Sequence, residues 1–596
     1  MQNLDYPFDG EELIQKYRSI KRELLGKQGQ FENRRIAILG GSTTDNVRKM
    51  LDLFLLKHGI RADFYESEFA QYWKDAMFGT PELTAFKPNV IFIHTSNRNI
   101  TLYPESGDDV DAIDGLLAAE YEKFSSMWIK LAGDYSCPII QNNFEYPYYR
   151  LMGNKDASDR SGRVNFITRL NLKFAEFAQT HENFFISDIN WISADYGLER
   201  WSEPFYWHMY KYALSLPAIP YLAHNVANII KSIYGKNKKA FALDLDNTLW
   251  GGVVGDDGAE GLEIGQETSL GQAFAEFQAY IKAHKKLGII LNVISKNEEA
   301  NALAGLSRPD NALKIDDFVV IKANWEPKSE NLIQLADGLT LLPESFVFVD
   351  DNPAEREIVR QQIPGVAAPE LEKAEKYIQM IDRNGWFEVT NFSNDDIKRA
   401  EMYKSNAERS AGQSRFTDYK DYLLSLEMTA EIKPFSPMYM SRIAQLTNKS
   451  NQFNLTTKRF TQNEITDAAN DGRNITLYGK LIDKFGDNGV VSVTIGELDE
   501  ALCHIRLWLM SCRVLKRDME FAMMDELVRL ALERGVKEVR GYYYPTAKNA
   551  IVRDFYGEQG FEKISEDTDG NAVWRLDISE GYANKQNVIK VNAEEN

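Results

Sequence analysis

Short apolar runs recur at 36–39, 62–65, 90–94, 138–141 and 184–187, and stretches with helical spacing separate them, such as VRKMLDLFLLKHG and residues 111–131. Strand and helix alternating in this way predict a doubly wound parallel sheet. An amphipathic helix over about 10–25 precedes it, and YLAHNVANIIKSIYG followed by the polar KNKK marks a linker near 236–239. A second α/β segment follows, with buried-strand candidates at 241–243, 289–294, 318–321 and 346–349, closing around Gly385. The spacing then turns polar and helical to about 413. Helices near 416–426, 437–448 and 461–468 precede the alternating strands ITLYGKLID and GVVSVTIGEL, a helix over 518–534 and the strand EVRGYYY. That last order reads as α+β with an antiparallel sheet. The chain thus divides into a helical segment 1–32, α/β domains 33–236 and 237–385, a connector 386–413, an α+β domain 414–583 and a tail 584–596 predicted to fray. There is no internal repeat.

The length of 596 residues supports several cores rather than one, and 44% hydrophobic with 26% charged residues excludes a disordered or collagen-like chain. A net charge of −19 repels phosphate backbones and anionic lipid, so nucleic acid and membrane are not expected partners. Cys137, Cys503 and Cys512 are too few and too scattered for a disulfide framework or a cysteine zinc site. The N-terminal stretch lacks the apolar core of a signal peptide, and no apolar run is long enough to span a bilayer. A soluble, cytoplasmic protein is the expectation.

The strongest chemical signal is FALDLDNTLWGG, an apolar strand ending in Asp244 and Asp246. Open α/β sheets bind ligands at the carboxyl ends of their strands, and a chain reversal there would let both carboxylates address one site. Further on, GIILNVIS delivers Ser295, NWEPKSENL places Lys328 at a helix start, and SFVFVDD ends in Asp350 and Asp351. Any one of these could be a turn cap or a solvated loop. Together, in the order carboxylate pair, hydroxyl, cation, carboxylate pair, they resemble the four motifs of the haloacid dehalogenase (HAD) superfamily.

That resemblance implies that Asp244 attacks phosphorus, that Asp246 protonates the leaving oxygen and then activates the next nucleophile, and that Ser295 and Lys328 hold phosphoryl oxygens. It also implies an Mg²⁺ site of Asp244, Asp246, Asp350 and Asp351, with Thr248, Lys296 and Asn297 as candidate substrate-binding residues. The chemistry needs such a set, because phosphoryl transfer is accelerated by positioning and by neutralising charge, and carboxylates alone would repel a phosphate. Between Asp244 and Ser295 the stretch GGVVGDDGAEGLEI reads as a Gly-rich hairpin flap and the rest as one helix. No room remains for a cap domain, so an open, Rossmann-like HAD domain is expected.

The strings DLDNTLWGGVVGDDG, ISKNEE, VFVDDNPAERE, LTNKSNQFNLTTKRF and DKFGDNGVVSV resemble the FkbH-like branch over about 240–560. Members of that branch are associated with loading a glyceryl unit from 1,3-bisphosphoglycerate onto an acyl carrier protein through an enzyme-bound thioester. They commonly carry Cys just before the serine of the second motif, where this chain has Ile294. The remaining candidate thiol is Cys512 in LMSCRVLKRD, which also reads as a small buried residue at a strand end. Two alternatives stay open: a phosphatase acting on a sugar or glycerate phosphate, and a catalytically silent scaffold that binds Mg²⁺.

The last domain resembles GNAT-type acyltransferases, in which amides between a central strand and the next helix bind the pyrophosphate of CoA. Here that loop, Arg513 to Asp518, has no glycine, and Asp518 opposes the charge of Lys516 and Arg517, which counts against CoA. The first domain resembles flavodoxin-like SGNH or GDSL hydrolases, with Ser42, Asn97 and His208 as a possible second site. Phe205 stands where that family has the aspartate that orients the histidine.

Overall fold

Strands whose residues are apolar at every position must be covered on both faces, and residues 36–39, 90–93, 240–243 and 346–349 are buried throughout. The computed structural model describes residues 4–26, 31–392, 394–413, 418–450, 452–546 and 548–592. The chain forms two compact units, Met1–Ile233 and Tyr234–Asn596.

In the first unit β1 (Glu32–Gly40), β2 (Ile60–Glu66), β3 (Val90–His94), β4 (Ile139–Asn142) and β5 (Phe184–Ser187) form one sheet in the order β2-β1-β3-β4-β5. All pairs are parallel. This is the flavodoxin-like order, with its switch point between β1 and β3. Ala37, Leu39, Ile91 and Ile93 face a core built on Phe124, Trp128 and Phe174. The helices Asp45–Lys57 and Ile219–Ile233 pack against each other in the same unit.

The second unit holds two sheets. β6 (Ala240–Leu243), β7 (Ile290–Ser295), β8 (Val320–Ala323) and β9 (Phe346–Val349) run parallel in the order β8-β7-β6-β9. Their side chains alternate as the pleat demands. Phe241, Leu243, Leu291, Val293, Val347 and Val349 enter one core, and Ala240, Ala242, Ile290, Ile294, Phe346 and Phe348 the other.

The other sheet, in chain order, has β10 (Thr429–Lys433), β11 (Phe453–Asn454), β12 (Asn474–Asp483), β13 (Gly486–Asp499), β14 (Leu502–Met510), β15 (Glu538–Tyr543), β16 (Glu562–Glu566), β17 (Ala572–Asp577) and β18 (Lys590–Val591). Its order is β16-β17-β15-β14-β13-β12-β10-β18, with β11 paired to β14. The α/β and α+β classes are thus as the pattern predicts, and within the mostly antiparallel sheet β14 and β15 form a parallel pair followed, from β14, by the helix Met519–Glu533.

Two expectations are corrected. The stretch after Gly251 is not a hairpin flap. It is a short helix, Val254–Gly261, kinked where Gly258 takes φ 68°, and only the bridge between Gly251 and Glu263 closes it. Asp256 and Asp257 in the first turn favour the helix end over a strand. The tail does not fray as predicted: Val588 and Ile589 are buried, and β18 pairs with β10. Residues 593–596 lie outside the described residues. Among the described residues no helix is long and apolar enough to cross a membrane.

Candidate active site

The site is built at the carboxyl ends of β6, β7 and β9. Just past β6, Asn247 takes a left-handed φ of 54°, a conformation that asparagine tolerates better than most residues, and the chain reverses. Past β9, Asn352 caps the helix Pro353–Gln362 by accepting from the amide of Ala354, with proline in the first turn. Asp350 and Asp351 are thereby fixed between a strand end and a helix start.

Carboxylate oxygens of Asp244, Asp350 and Asp351 lie within 4.8 Å of one another. The Lys328 ammonium joins two of them, 3.0 Å from Asp244 and 2.6 Å from Asp350. Burial pushes the Asp244 carboxyl up to about 6, with Lys328 pulling against it and the charge of Asp350 adding to it. Asp350 and Asp351 are raised as well, first by burial. Despite burial, Lys328 is held above the usual lysine range by Asp244 and Asp350. Three convergent carboxylates with one cation carry excess negative charge, and an oxygen-only donor set of this kind fits a hard divalent ion such as Mg²⁺. Ser295 is buried near Asp244 and pulls its carboxyl down.

The Asp246 carboxylate is not among the three that converge. One oxygen accepts from the indole of Trp250 at 2.9 Å and from the Val254 amide at 3.0 Å, and the other from Asn297 at 2.8 Å. Asn297 therefore orients Asp246 and stands 3.4 Å from the Ser295 hydroxyl. Thr248 is fully buried and accepts from the Asp351 amide at 3.1 Å, so it braces the two carboxylate loops. Lys296 pairs with Glu355 at 2.6 Å. The contacts of Thr248 and Lys296 thus account for both without a substrate.

Cys512 is also corrected. Its sulfur lies 3.6 Å from the Tyr403 hydroxyl, and Tyr403 packs in the core beside Ala240, Ile290 and Ile294. Cys512 is an electrostatic neighbour of Lys239, whose ammonium burial holds below its usual range. Cys512 is not one of the groups that converge with Asp244, and Ile294 is buried in the core. No cysteine thereby stands at the carboxylate cluster.

Sequence reasoning missed Arg356. Its buried guanidinium donates to the carbonyls of Asp350 and Asp351, each at 2.7 Å, and pairs with Glu370 at 2.8 Å. Nη1 thus spans the peptide that carries both carboxylates while Nη2 holds Glu370, a two-ended geometry that a single ammonium cannot copy. Arg356→Lys is expected to weaken Mg²⁺ affinity by about 10-fold or more, read by Mg²⁺ titration of activity. Its place six residues after Asp350, in VDDNPAERE, was visible but had no motif to mark it.

In the first unit the turn that carries Ser42 is tied to the end of the helix that carries His208, Thr43 donating to the Tyr210 carbonyl at 2.7 Å, and among the described residues Ser42 and His208 make no hydrogen bond to each other. Ser42 is buried with no hydrogen-bond partner for its hydroxyl. His208 is exposed on the helix Pro204–Tyr210. Asn99, rather than Asn97, reaches the Ser42 turn, donating to the Gly41 carbonyl at 3.0 Å. Asn97 instead donates to Glu145 at 2.8 Å, a carboxyl that burial pushes up to about 8.

The FkbH N-terminal domain model matches residues 35–231. The N-terminal part of protein BF1531 from Bacteroides fragilis, described as containing a phosphatase domain and complexed with Mg, is 30% identical, covers 63% of this chain and 99% of its own, and superposes with a TM-score of 0.58. The chain belongs to the FkbH-like family of the HAD superfamily. It is an enzyme of the HAD hydrolase or phosphotransferase kind. No curated protein matches it. A PaiA N-acetyltransferase from Thermoplasma acidophilum in complex with coenzyme A is 14% identical and covers 25% of this chain and 99% of its own, with a TM-score of 0.21. A GNAT-family acetyltransferase from Streptococcus pneumoniae is 12% identical and covers 25% and 98%, with a TM-score of 0.20. The acyltransferase-like character of the last sheet rests on its own strand order.

Proposed function

We propose that this FkbH-like protein is an Mg²⁺-dependent enzyme that displaces phosphate from a small phosphorylated acid at Asp244. The observation that carries the reading is the buried Lys328 joined to both Asp244 and Asp350 inside a cluster of three carboxylates. Asp244, Asp350 and Asp351 would hold the ion, as the magnesium-bound relative suggests. Bound Mg²⁺ supplies the positive charge that lets carboxylates and a phosphoryl group share one site.

In this reading an Asp244 oxygen attacks phosphorus, and the bond from phosphorus to the leaving oxygen breaks with its electron pair going to that oxygen. An acyl phosphate leaves as a carboxylate, which needs no proton. Asp246, fixed by Trp250, Val254 and Asn297, then takes a proton from the water that attacks the aspartyl phosphate. Phosphate departs and Asp244 is restored. Lys328 and Ser295 hold the phosphoryl oxygens.

Acyl loading from 1,3-bisphosphoglycerate is a second outcome at the same place. There a thiolate attacks the carbonyl carbon and phosphate leaves with the carbon–oxygen electrons. Since Cys512 is not in the carboxylate cluster and position 294 is Ile, the acyl carrier protein's own thiol would have to arrive. The lack of a resident thiol favours release of free acid, with a sugar or glycerate phosphate as the rival substrate.

The test is intact-mass analysis after mixing enzyme, Mg²⁺, 1,3-bisphosphoglycerate and a phosphopantetheinylated carrier protein, with phosphate followed alongside. Phosphate without an adduct supports the first reading, and a glyceryl adduct on the carrier the second. Cys512→Ser is expected to leave phosphate release within about twofold of wild type, since it removes no group near Asp244. Because the Asp244 carboxyl is raised to about 6, it must shed a proton to take the ion. Mg²⁺ affinity is therefore expected to hold steady above about pH 7 and to fall, by up to about 10-fold per pH unit, as pH drops below about 6. Calorimetric titration between pH 5 and 8 reads this directly.

A further inference from the structure

β14 and β15 are paired only at Leu502, Cys503 and His504 against Glu538, Val539 and Arg540. Beyond His504 they diverge, and two strand edges that part leave their inner N–H and C=O groups needing partners. An extended ligand bearing amides, such as the pantetheine arm of CoA, has the chemistry to fill such a wedge. Its pyrophosphate would then lie by the loop that follows β14.

The wedge is already filled by the chain itself. Phe453 and Asn454 pair with Met510 and Leu509 of β14. The Leu455 amide donates to the Trp508 carbonyl at 3.1 Å, and the Leu455 carbonyl accepts from the Tyr544 amide at 2.9 Å. Thr456 donates to the Arg506 carbonyl at 3.0 Å. From Met510 back to Arg506 the inner edge of β14 is thus taken, and Leu455 ties it to the chain leaving β15. The Asn549 amide donates to Asn454 at 3.0 Å and to Tyr544 at 2.9 Å, clamping the insert from the other side. Phe453, Asn454 and Leu455 are all buried. The ring of Phe453 packs on Phe555, centroids 5.0 Å apart.

The loop after β14 gives an independent observation. Arg517 turns inward to Asp483 at 3.1 Å and to Asn406 at 2.8 Å, while Arg513 donates to Ser511 at 3.1 Å. Neither guanidinium is left to greet an anion. The helix Met519–Glu533 begins with Asp518 at its cap and Glu520 in its first turn. Burial, with Asp518 and Glu558 nearby, pushes Glu520 up to about 7. Two carboxyl groups stand at the helix end where a pyrophosphate would bind, and a negative charge there repels one.

We infer that the last domain binds neither CoA nor a phosphopantetheine arm between β14 and β15, because residues 453–456 form a built-in strand in that cleft. The GNAT-like sheet keeps the shape of an acyltransferase with its cofactor cleft closed from within.

The test is hydrogen-exchange mass spectrometry on the intact protein, with and without CoA at millimolar concentration. The amides of Leu455 and Tyr544 are expected to exchange at least about 100-fold more slowly than unprotected amides, and CoA is expected to leave them unchanged. CoA bound elsewhere with these amides still protected upholds the inference. Exchange at the unprotected rate without CoA overturns it, as does deprotection of Leu455 when CoA is added.

Discussion

Asp244→Asn is expected to lower phosphate release by at least about a thousandfold and, at the same time, to make the metal-free protein more stable. Most losses of a catalytic group say little about the fold, whereas here the two effects have one cause. Asp244 titrates near 6 in the fold against an ordinary 3.8. The folded chain therefore binds this proton more tightly than the unfolded chain. The sign follows from linkage: stability is greatest below about pH 4, falls as pH rises through the window from about 4 to 6, and stays lower above it. That gap corresponds to about 3 kcal/mol at most, and the lost contact with Lys328 offsets part of it. An uncharged amide removes the penalty, so the melting temperature of metal-free Asp244→Asn at pH 7.5 is expected to rise by about 2–4 °C. Scanning calorimetry with a chelator checks this, and the difference is expected to shrink at pH 4.

Lys328→Met is expected to have the opposite effect on the fold. Its ammonium is the cation that the structure places between Asp244 and Asp350, and all three groups are buried. Removing it leaves carboxylates facing one another without compensation, at a cost of about 3–5 kcal/mol at neutral pH. Since their protonation relieves the repulsion, the cost is expected to shrink as pH falls below about 6. Saturating Mg²⁺ is expected to restore part of the stability without restoring activity. Denaturant melts of Lys328→Met at pH 5 and pH 8, each with and without Mg²⁺, separate these contributions. A loss of stability equal at both pH values would mean that Lys328 is held by packing alone.

The pair of variants bears on how much of the site the chain declares in its sequence. Asp244, Ser295, Asp350 and Asp351 were legible because each sits at the end of a short apolar run, and a parallel sheet necessarily brings strand ends to one edge; Lys328 was legible as the first residue of a helix. Arg356 was not legible, since its role depends on reaching back to two carbonyls, which no residue type announces. The direction of the Asp246 oxygens has the same origin: spacing places Asp246 beside Asp244, but Trp250 and Asn297 decide where its oxygens point. The surroundings of Cys512 were not legible, since its sulfur meets Tyr403, far away in sequence. In the last sheet the long strands at 474–483 and 486–499 carried a clear alternating pattern. Phe453–Asn454 is two residues long in a polar stretch, and it is a strand only because two diverging edges require one.

In the proposed reading the carboxylate cluster around Asp244 is the place where phosphorylated substrate is handled. The most direct test of that claim is to quench the enzyme during turnover of a phosphorylated acid with Mg²⁺ and to map the adduct by peptide mass spectrometry. A phosphoryl group on the peptide that contains Asp244, absent in Asp244→Asn, is the predicted result. Phosphate release that persists in Asp244→Asn, with no phosphoryl adduct on that peptide, would contradict the account.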